Sequence, residues 1–565
     1  MLGREARIVN SAGNVAVLRA SIGMSACLGS KGKDSMHSNP TKSIQARLLI
    51  LVICLVWLVS PASAQTAKSQ ASTKDASTQL EQRIERVENG FASIPLGENE
   101  PPLQFNLQKL MEVYKVPGLS VAVIDNFKIV WAKAYGVTEA GTATPVTTKT
   151  LFQAGSISKP VAATGALYLV EHGKLALDED VNRKLVSWKV PENEFTKDQK
   201  VTLRRLMSHS AGLTVHGFPG YAVDSPIPTL VQIFNGEKPA NTAPIRVDIV
   251  PGTKGVYSGG GITIEQQLVI DVTGEPFPQF MRETVLDKIG MLESTYEQPL
   301  PPVRAALAAS GTYTDGKLVR GKWHIYPEMA AAGLWTTPSD LARFAIEIAL
   351  SKQGKANHVL SQTMTQQMLT PQIDRIGLGF FLGDKNNPGQ FGHGGADEGF
   401  QAMLTMFSDS GHGVAVMANS DNGITVANYL IKSIAREYSW SNTPEKEPAA
   451  DVLMLVADLR GTHAAMQKYA DLKKTGSSEY DMDEGTLNQL GYHLLRSGRK
   501  EDAIQAFRLN VEEYPKSSNA FDSLGEAYMA AGQKDLAIQN YEKSIELDPK
   551  NQNGIDMLKK LKEQK

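Results

Sequence analysis

The sequence predicts an α+β domain followed by an all-α array of repeats. Three observations lead there. Strand-like segments sit at both ends of a long helix-rich region, a 34-residue repeat closes the chain, and a charged, proline-containing stretch separates the two. The 565 residues also exceed the ~100–200 that a single domain usually holds.

Gly118 to Asp125 ("GLSVAVID") and Lys128 to Gly136 ("KIVWAKAYG") read as two strands joined by a turn at Asn126-Phe127. Thr164 to Glu171 reads as helix ending at Gly173, a residue type suited to the left-handed position past a helix end. Further helices fall at Leu203 to His209 and Ser339 to Ala349. Ile376 to Leu382, Gln401 to Phe407 and Gly413 to Asn419 read as the strands that complete the sheet. "SNTPEKEPAA" then marks a linker. Beyond it Leu490-Gly491 recurs as Leu524-Gly525, Gly498 as Gly532, Ala503 as Ala537, Phe507 as Tyr541 and Pro515 as Pro549. That spacing is the tetratricopeptide pattern of helix-turn-helix units. Helices within Ala450 to Lys474 and a closing helix, Ile555 to Lys562, would cap so short an array.

The N-terminal end reads as an address. Leu48 to Val59 ("LLILVICLVWLV") is too short to span a bilayer, suits a signal h-region and is followed by Ala62-Ser63-Ala64. The expected organisation is therefore 1–64 signal peptide with an over-long start, 65–104 polar tether, 105–440 catalytic domain, 441–483 linker and connecting helices, and 484–565 repeats. Both cysteines, Cys27 and Cys54, fall in the removed segment, so the mature chain has no thiol or disulfide chemistry. Lys plus Arg (58) nearly balance Asp plus Glu (60), which leaves no basic field for nucleic acid or a membrane surface. The expectation is an exported, periplasmic or secreted bacterial protein with no membrane span after cleavage. It would act on a small molecule or peptide.

The chemistry hangs on "LFQAGSISKPVAATGAL", where Ser156 and Lys159 stand three apart at a helix start. S-x-x-K also occurs at Ser30 to Lys33 and Ser497 to Lys500, so the spacing alone decides nothing. Context does: the first lies in the precursor segment and the second in a turn between repeat helices. At i, i+3 on a first helical turn the two side chains share a face, and a desolvated lysine can take a serine's proton. Tyr257 follows on a glycine-rich loop, Gly255 through Gly261, that enters a helix, and a tyrosine beside a lysine can relay a proton. His393-Gly394-Gly395-Ala396 then offers a glycine-rich strand whose main-chain N–H could pair with that of the nucleophile around an oxyanion. G-x-S-x-G, H-E-x-x-H and G-x-x-x-x-G-K-[ST] are all absent from the sequence, which argues against an α/β-hydrolase, a zinc hydrolase and a P-loop enzyme.

In this order the motifs resemble those of the penicillin-binding and class C β-lactamase-like serine hydrolases, which carry S-x-x-K, Y-x-N and K-T-G or H-x-G. "VTLRRLMSHSAGL" and "AAAGLWTTPSDLARF" resemble the family's pocket walls, and the resemblance spans about residues 105–440. It implies an antiparallel sheet flanked by helices plus an all-α region, and an acyl-enzyme mechanism without metal or organic cofactor. Carried over, Ser156 is the nucleophile, Lys159 its base or activator and Tyr257 the proton relay, with the Ser156 and Ala396 N–H groups as oxyanion donors. Gly259 stands where the family usually has an asparagine that contacts a substrate amide. Gly394 and Ala396 replace hydroxyl residues that help hold a carboxylate. His393, in the lysine position, resembles the D-aminopeptidase and esterase branches and would act electrostatically or by hydrogen bonding. His209 reads as structural. Ester, β-lactam and D-amino-acid-containing peptide all stay open as substrates. The alternative is a non-catalytic scaffold that binds a protein partner, or a second copy, through its repeats.

Overall fold

The computed structural model describes residues 77–91, 105–440, 446–476 and 480–563. The signal run, both cysteines, most of the tether and the start of the linker lie outside the described residues.

Six strands form one sheet. They are β1 (Gly118–Asp125), β2 (Lys128–Gly136), β3 (Phe381–Leu382), β4 (Gln390–Asp397), β5 (Phe400–Phe407) and β6 (Gly413–Ala418), in the order β2-β1-β6-β5-β4-β3. All neighbours are antiparallel, and the C-terminal β6 pairs with β1, Val121 opposite Val416. Both faces are covered, so β1 is apolar almost throughout rather than alternating. Leu119, Val121 and Val123 enter one core, while Ala122 and Ile124 enter the other.

The core on the second face holds the helix that follows Ser156. Helix α1 (Ser158–Glu171) runs through it, buried on every side as far as Leu167. Small residues permit the close packing: a side chain begun at Gly165 would lie 2.7 Å from Met281 Sδ. Gly173, at φ +66, ends the helix as its residue type predicts. Helices α2 (Gly259–Thr273), α3 (Met329–Ala332) and α4 (Pro338–Lys352) surround α1 and the sheet.

The segment Ile376 to Leu382 is a strand only over Phe381–Leu382. Gly377 and Gly379 explain this: Gly379 takes φ +89 and passes so close to α1 that a side chain there would begin 2.9 Å from Ala163 Cβ.

The other face of the sheet packs on Leu107–Val113 and α5 (Gly423–Glu437), and this core continues without a break into the repeats. Helices α6 (Ala449–Arg460) and α7 (Thr462–Thr475) precede two repeat pairs. These pairs are α8 (Glu484–Arg496) with α9 (Lys500–Glu513), and α10 (Ser518–Ala530) with α11 (Lys534–Leu547). Helix α12 (Gln552–Glu563) follows. The 34-residue period has a steric origin. Gly491 leaves room for Phe507, and Gly525 does the same for Tyr541 at the equivalent places. Gly498 and Gly532 both turn at φ +76. Helix α6, ahead of the repeats, docks on the preceding domain: the Tyr114 hydroxyl donates to Asp458 Oδ2 at 3.0 Å and that of Tyr429 to the Asp451 carbonyl at 3.0 Å. Among the described residues no helix is long and apolar enough to cross a membrane.

Candidate active site

Ser156 sits on a single 3-10 turn, Gly155–Ile157, that leads into α1. The turn rests against the free half of β4, because β3 covers only Phe391 and Gly392. Contact there is backbone on backbone. A side chain begun at Gly155, whose φ is +50, would lie 2.5 Å from the Ala396 nitrogen, and one at Gly395 only 1.9 Å from the Ala154 carbonyl oxygen. Glycine is required at both positions, and the Ser156 turn and the Ala396 amide lie side by side as a result.

Lys159 comes one turn later, and its Nζ lies 2.8 Å from Ser156 Oγ. The amine also donates to the Ala331 carbonyl at 2.7 Å, which ties α1 to α3. Only 2% of Lys159 is exposed. Burial therefore pushes its pKa down to about 7, with Asp397 pulling the other way. A lysine near its midpoint at neutral pH can accept the proton of the hydroxyl beside it.

Tyr257 approaches from the opposite wall. Its phenol is hydrogen-bonded to Ser156, and its ring centroid lies 5.0 Å from Lys159 Nζ. Burial raises its pKa to about 12, against the effect of the Ser156 bond, so the phenol keeps its proton. Ser258 follows and caps α2, accepting from the Gly261 amide at 3.0 Å.

His209 supports this wall. Its ring packs 4.3 Å from that of Tyr257, and its Nδ1 accepts from the Ser258 amide at 3.2 Å. Burial lowers its pKa well below the usual range, with Lys159 and His393 adding to the effect, so it is a neutral prop for the tyrosine. The structural role read from the sequence gains a particular object here.

His393 lies on β4, 5% exposed, with its ring 5.0 Å from Phe381 and 6.1 Å from Tyr257. Burial holds its pKa down to about 3, and Lys159 acts in the same direction. Its Nδ1 donates to the Gly394 carbonyl at 2.5 Å. The ring is therefore neutral at neutral pH. A cavity of about 500 Å³ opens beside it, lined among others by Phe381, Gly394, Met403 and Arg375.

Gly259 starts α2 and is buried. A side chain there would begin 3.0 Å from the Phe218 ring and 3.3 Å from the His216 carbonyl. The space that an asparagine would use is taken by the loop at 217–241.

Two acids near these elements escaped the sequence reading. Glu265 on α2 and Glu328 just before α3 are almost wholly buried, and none of their carboxyl oxygens has a hydrogen-bond partner among the described residues. Burial pushes both pKa values up to about 8 from 4.5. Between those limits the folded protein binds more protons than the unfolded chain, so stability falls as pH rises through the window. Glu265→Gln and Glu328→Gln should each flatten that fall, with little effect below pH 4.5. Thermal melting from pH 4 to pH 9 checks this.

A helix-start serine beside a buried, deprotonatable lysine, set against the edge of an antiparallel sheet, defines the class: a serine hydrolase of the β-lactamase and penicillin-binding type. The beta-lactamase family model matches residues 103–439, and a tetratricopeptide repeat model matches 518–551. The chain belongs to the beta-lactamase family. It is 32% identical over 241 residues to a beta-lactamase of Pseudomonas fluorescens, covering 42% of this chain and 61%, less than two thirds, of that protein. Penicillin-binding protein 4 of Amycolatopsis lactamdurans is 25% identical over 382 residues, 64% of this chain and 96% of that protein. Among solved structures, the octameric penicillin-binding protein homologue from Pyrococcus abyssi aligns with a TM-score of 0.48 at 23% identity, over 58% of this chain and 77% of that one.

Proposed function

We propose that the protein is an exported hydrolase that forms an acyl-enzyme on Ser156 and releases it to water. The observation that carries this reading is the 2.8 Å contact between Ser156 Oγ and a lysine whose burial brings its pKa to about 7. Lys159 takes the hydroxyl proton as Oγ attacks the carbonyl carbon. The oxyanion that develops meets the Ser156 and Ala396 amides. Tyr257, still a phenol, passes a proton to the leaving group and is recharged by Lys159. In deacylation the same groups activate water.

Among the open substrates we place esters first. His393 is neutral where the family's lysine would stand, and Phe218 fills the space beside Gly259. A substrate gripped by a carboxylate or a side-chain amide loses both handles, whereas an ester needs neither. The alternative of a non-catalytic scaffold leaves Lys159 buried beside Ser156 with no use. The repeats, joined to the catalytic domain through α6, offer their outer surface to a protein partner. Export rests on the Leu48 to Val59 run and the Ala62-Ser63-Ala64 site.

Turnover of a short-chain p-nitrophenyl ester, a chromogenic cephalosporin and a D-alanyl-D-alanine peptide tests the reading. The expected result is highest kcat/KM on the ester. Failure on all three would overturn the hydrolase, and preference for the cephalosporin would overturn the ranking. On any substrate turned over, kcat/KM should rise about tenfold per pH unit below 7 and level off above it, as free Lys159 accumulates.

A further inference from the structure

The Ala396 amide, proposed as an oxyanion donor, stands near the end of a strand whose outer edge is paired by β3 only at Phe391 and Gly392. On its inner edge Ala396 faces Gln401 of β5, and Gln401 faces Ala418 at the end of β6. A single further pair, Asp397 with Phe400, separates Ala396 from the turn at Glu398-Gly399. The position of this donor therefore depends on how firmly that turn is held.

Both amides of the turn are bound by side chains from outside the two strands it joins. The Glu398 N–H donates to the Tyr326 hydroxyl at 3.0 Å, and the Gly399 N–H to Asp421 Oδ1 at 2.8 Å. Tyr326 is fully buried, on the segment whose Ala331 carbonyl holds Lys159. Asp421 lies three residues beyond the end of β6 at Ala418, and its own amide donates to the Thr312 carbonyl at 2.9 Å. The Thr312 amide in turn donates to the Gly399 carbonyl at 3.3 Å. Asp421, Thr312 and Gly399 thus close a ring of hydrogen bonds. The ring closes on bare backbone: a side chain begun at Gly399, where φ is +78, would lie 2.5 Å from Val319 Cγ2 and 2.7 Å from Gly311 Cα.

We propose that Asp421 and Tyr326 are positioning residues of the acyl-transfer reaction. They act through the backbone: each fixes one amide of the turn, and together they hold the end of β4 so that the Ala396 N–H meets the oxyanion beside that of Ser156. Such a donor stabilises the developing charge only at hydrogen-bond distance from it, so a small drift of the strand end weakens it. Without its acceptor, a turn amide is left unpaired and the turn shifts to find another partner. An acceptor oxygen is all that is asked of Asp421, and its charge plays no part. The inference rests on the reading of Ala396 as an oxyanion donor.

The test compares wild type, Asp421→Ala, Asp421→Asn and Tyr326→Phe, each assayed well below its melting temperature. It measures kcat and KM on the best ester and inhibition by phenylboronic acid. A boronic acid adds to a catalytic serine and sets a boronate oxygen where the oxyanion forms, so its affinity reports on the donors. Asp421→Ala and Tyr326→Phe should each lower kcat about tenfold, less than the loss of a whole donor, with KM little changed. Both should bind phenylboronic acid more weakly by a similar factor. Asp421→Asn keeps the acceptor and should recover most of the Asp421→Ala loss. A lower melting temperature with unchanged kcat and boronic acid affinity marks a merely structural clamp and overturns the proposal, as does an Asp421→Asn as slow as Asp421→Ala. Should Asp421→Ala fail to fold, Tyr326→Phe, which removes a single oxygen, decides. Failure of the underlying reading looks different: wild type itself would bind phenylboronic acid no better than Ser156→Ala does.

Discussion

Replacing Ser156 with alanine reduces turnover by at least ~10³-fold, while the protein melts within a few degrees of wild type. The substitution removes one oxygen whose contacts are Lys159 Nζ and the Tyr257 phenol. The backbone of its turn is held by other means, including Ser158, whose hydroxyl donates to the Gly155 carbonyl at 2.6 Å. No cavity opens in a core, so the cost falls on the chemistry. Oxyanion donors and binding determinants remain, which is why residual acceleration over water is expected. Ser156→Ala combined with a Lys159 substitution should be no worse than Ser156→Ala alone, since the two act as a unit. Steady-state kinetics on the best ester, with melting curves, checks both statements.

Lys159→Met should lower kcat/KM by roughly 10²–10⁴-fold, the usual contribution of a positioned base. Methionine fills nearly the same volume without the amine, so the fold should survive. Stability should in fact rise. The Lys159 pKa is about 7 in the folded protein against 10.5 for the free side chain. Below pH 10.5 the unfolded chain therefore binds the extra proton that burial denies the native state. This penalty grows as pH falls from 10.5 to 7 and is fully present below 7. The Lys159→Met variant should consequently melt above wild type at pH 6 and much closer to it at pH 10. Loss of activity with a gain in stability is the signature of a functional residue held against its own solvation. Equal stability of the two proteins at pH 6 would argue that Lys159 is not desolvated.

Local patterns in the chain were legible where they also decide the structure. The strands Gly118–Asp125 and Lys128–Gly136 run as read, since each is apolar, β-branched and bounded by glycine or a turn. The repeat was visible because the same glycine has to clear the same aromatic ring every 34 residues. The closeness of Ser156 and Lys159 could be read because they stand one helical turn apart, although only their context set this pair above the other two of the same spacing.

What the sequence concealed depends on partners distant in the chain. The packing of Ala396 against Gly155, 241 positions earlier, carries no signal in either segment alone. Nor does the sequence show that burial beside Lys159 keeps the His393 ring neutral. Glu265 and Glu328 look like ordinary helix acids until the packing around them is known. Gly259 had invited comparison with a missing asparagine, but Phe218, 41 residues away, already fills that place.

The most direct measurement of the central claim is to treat the protein with a fluorophosphonate, digest it and locate the adduct by mass. The account predicts one adduct per chain, on the peptide carrying Ser156, formed faster as pH rises through 7 and absent from Ser156→Ala. An adduct on any other residue, or undiminished labelling of Ser156→Ala, would contradict it.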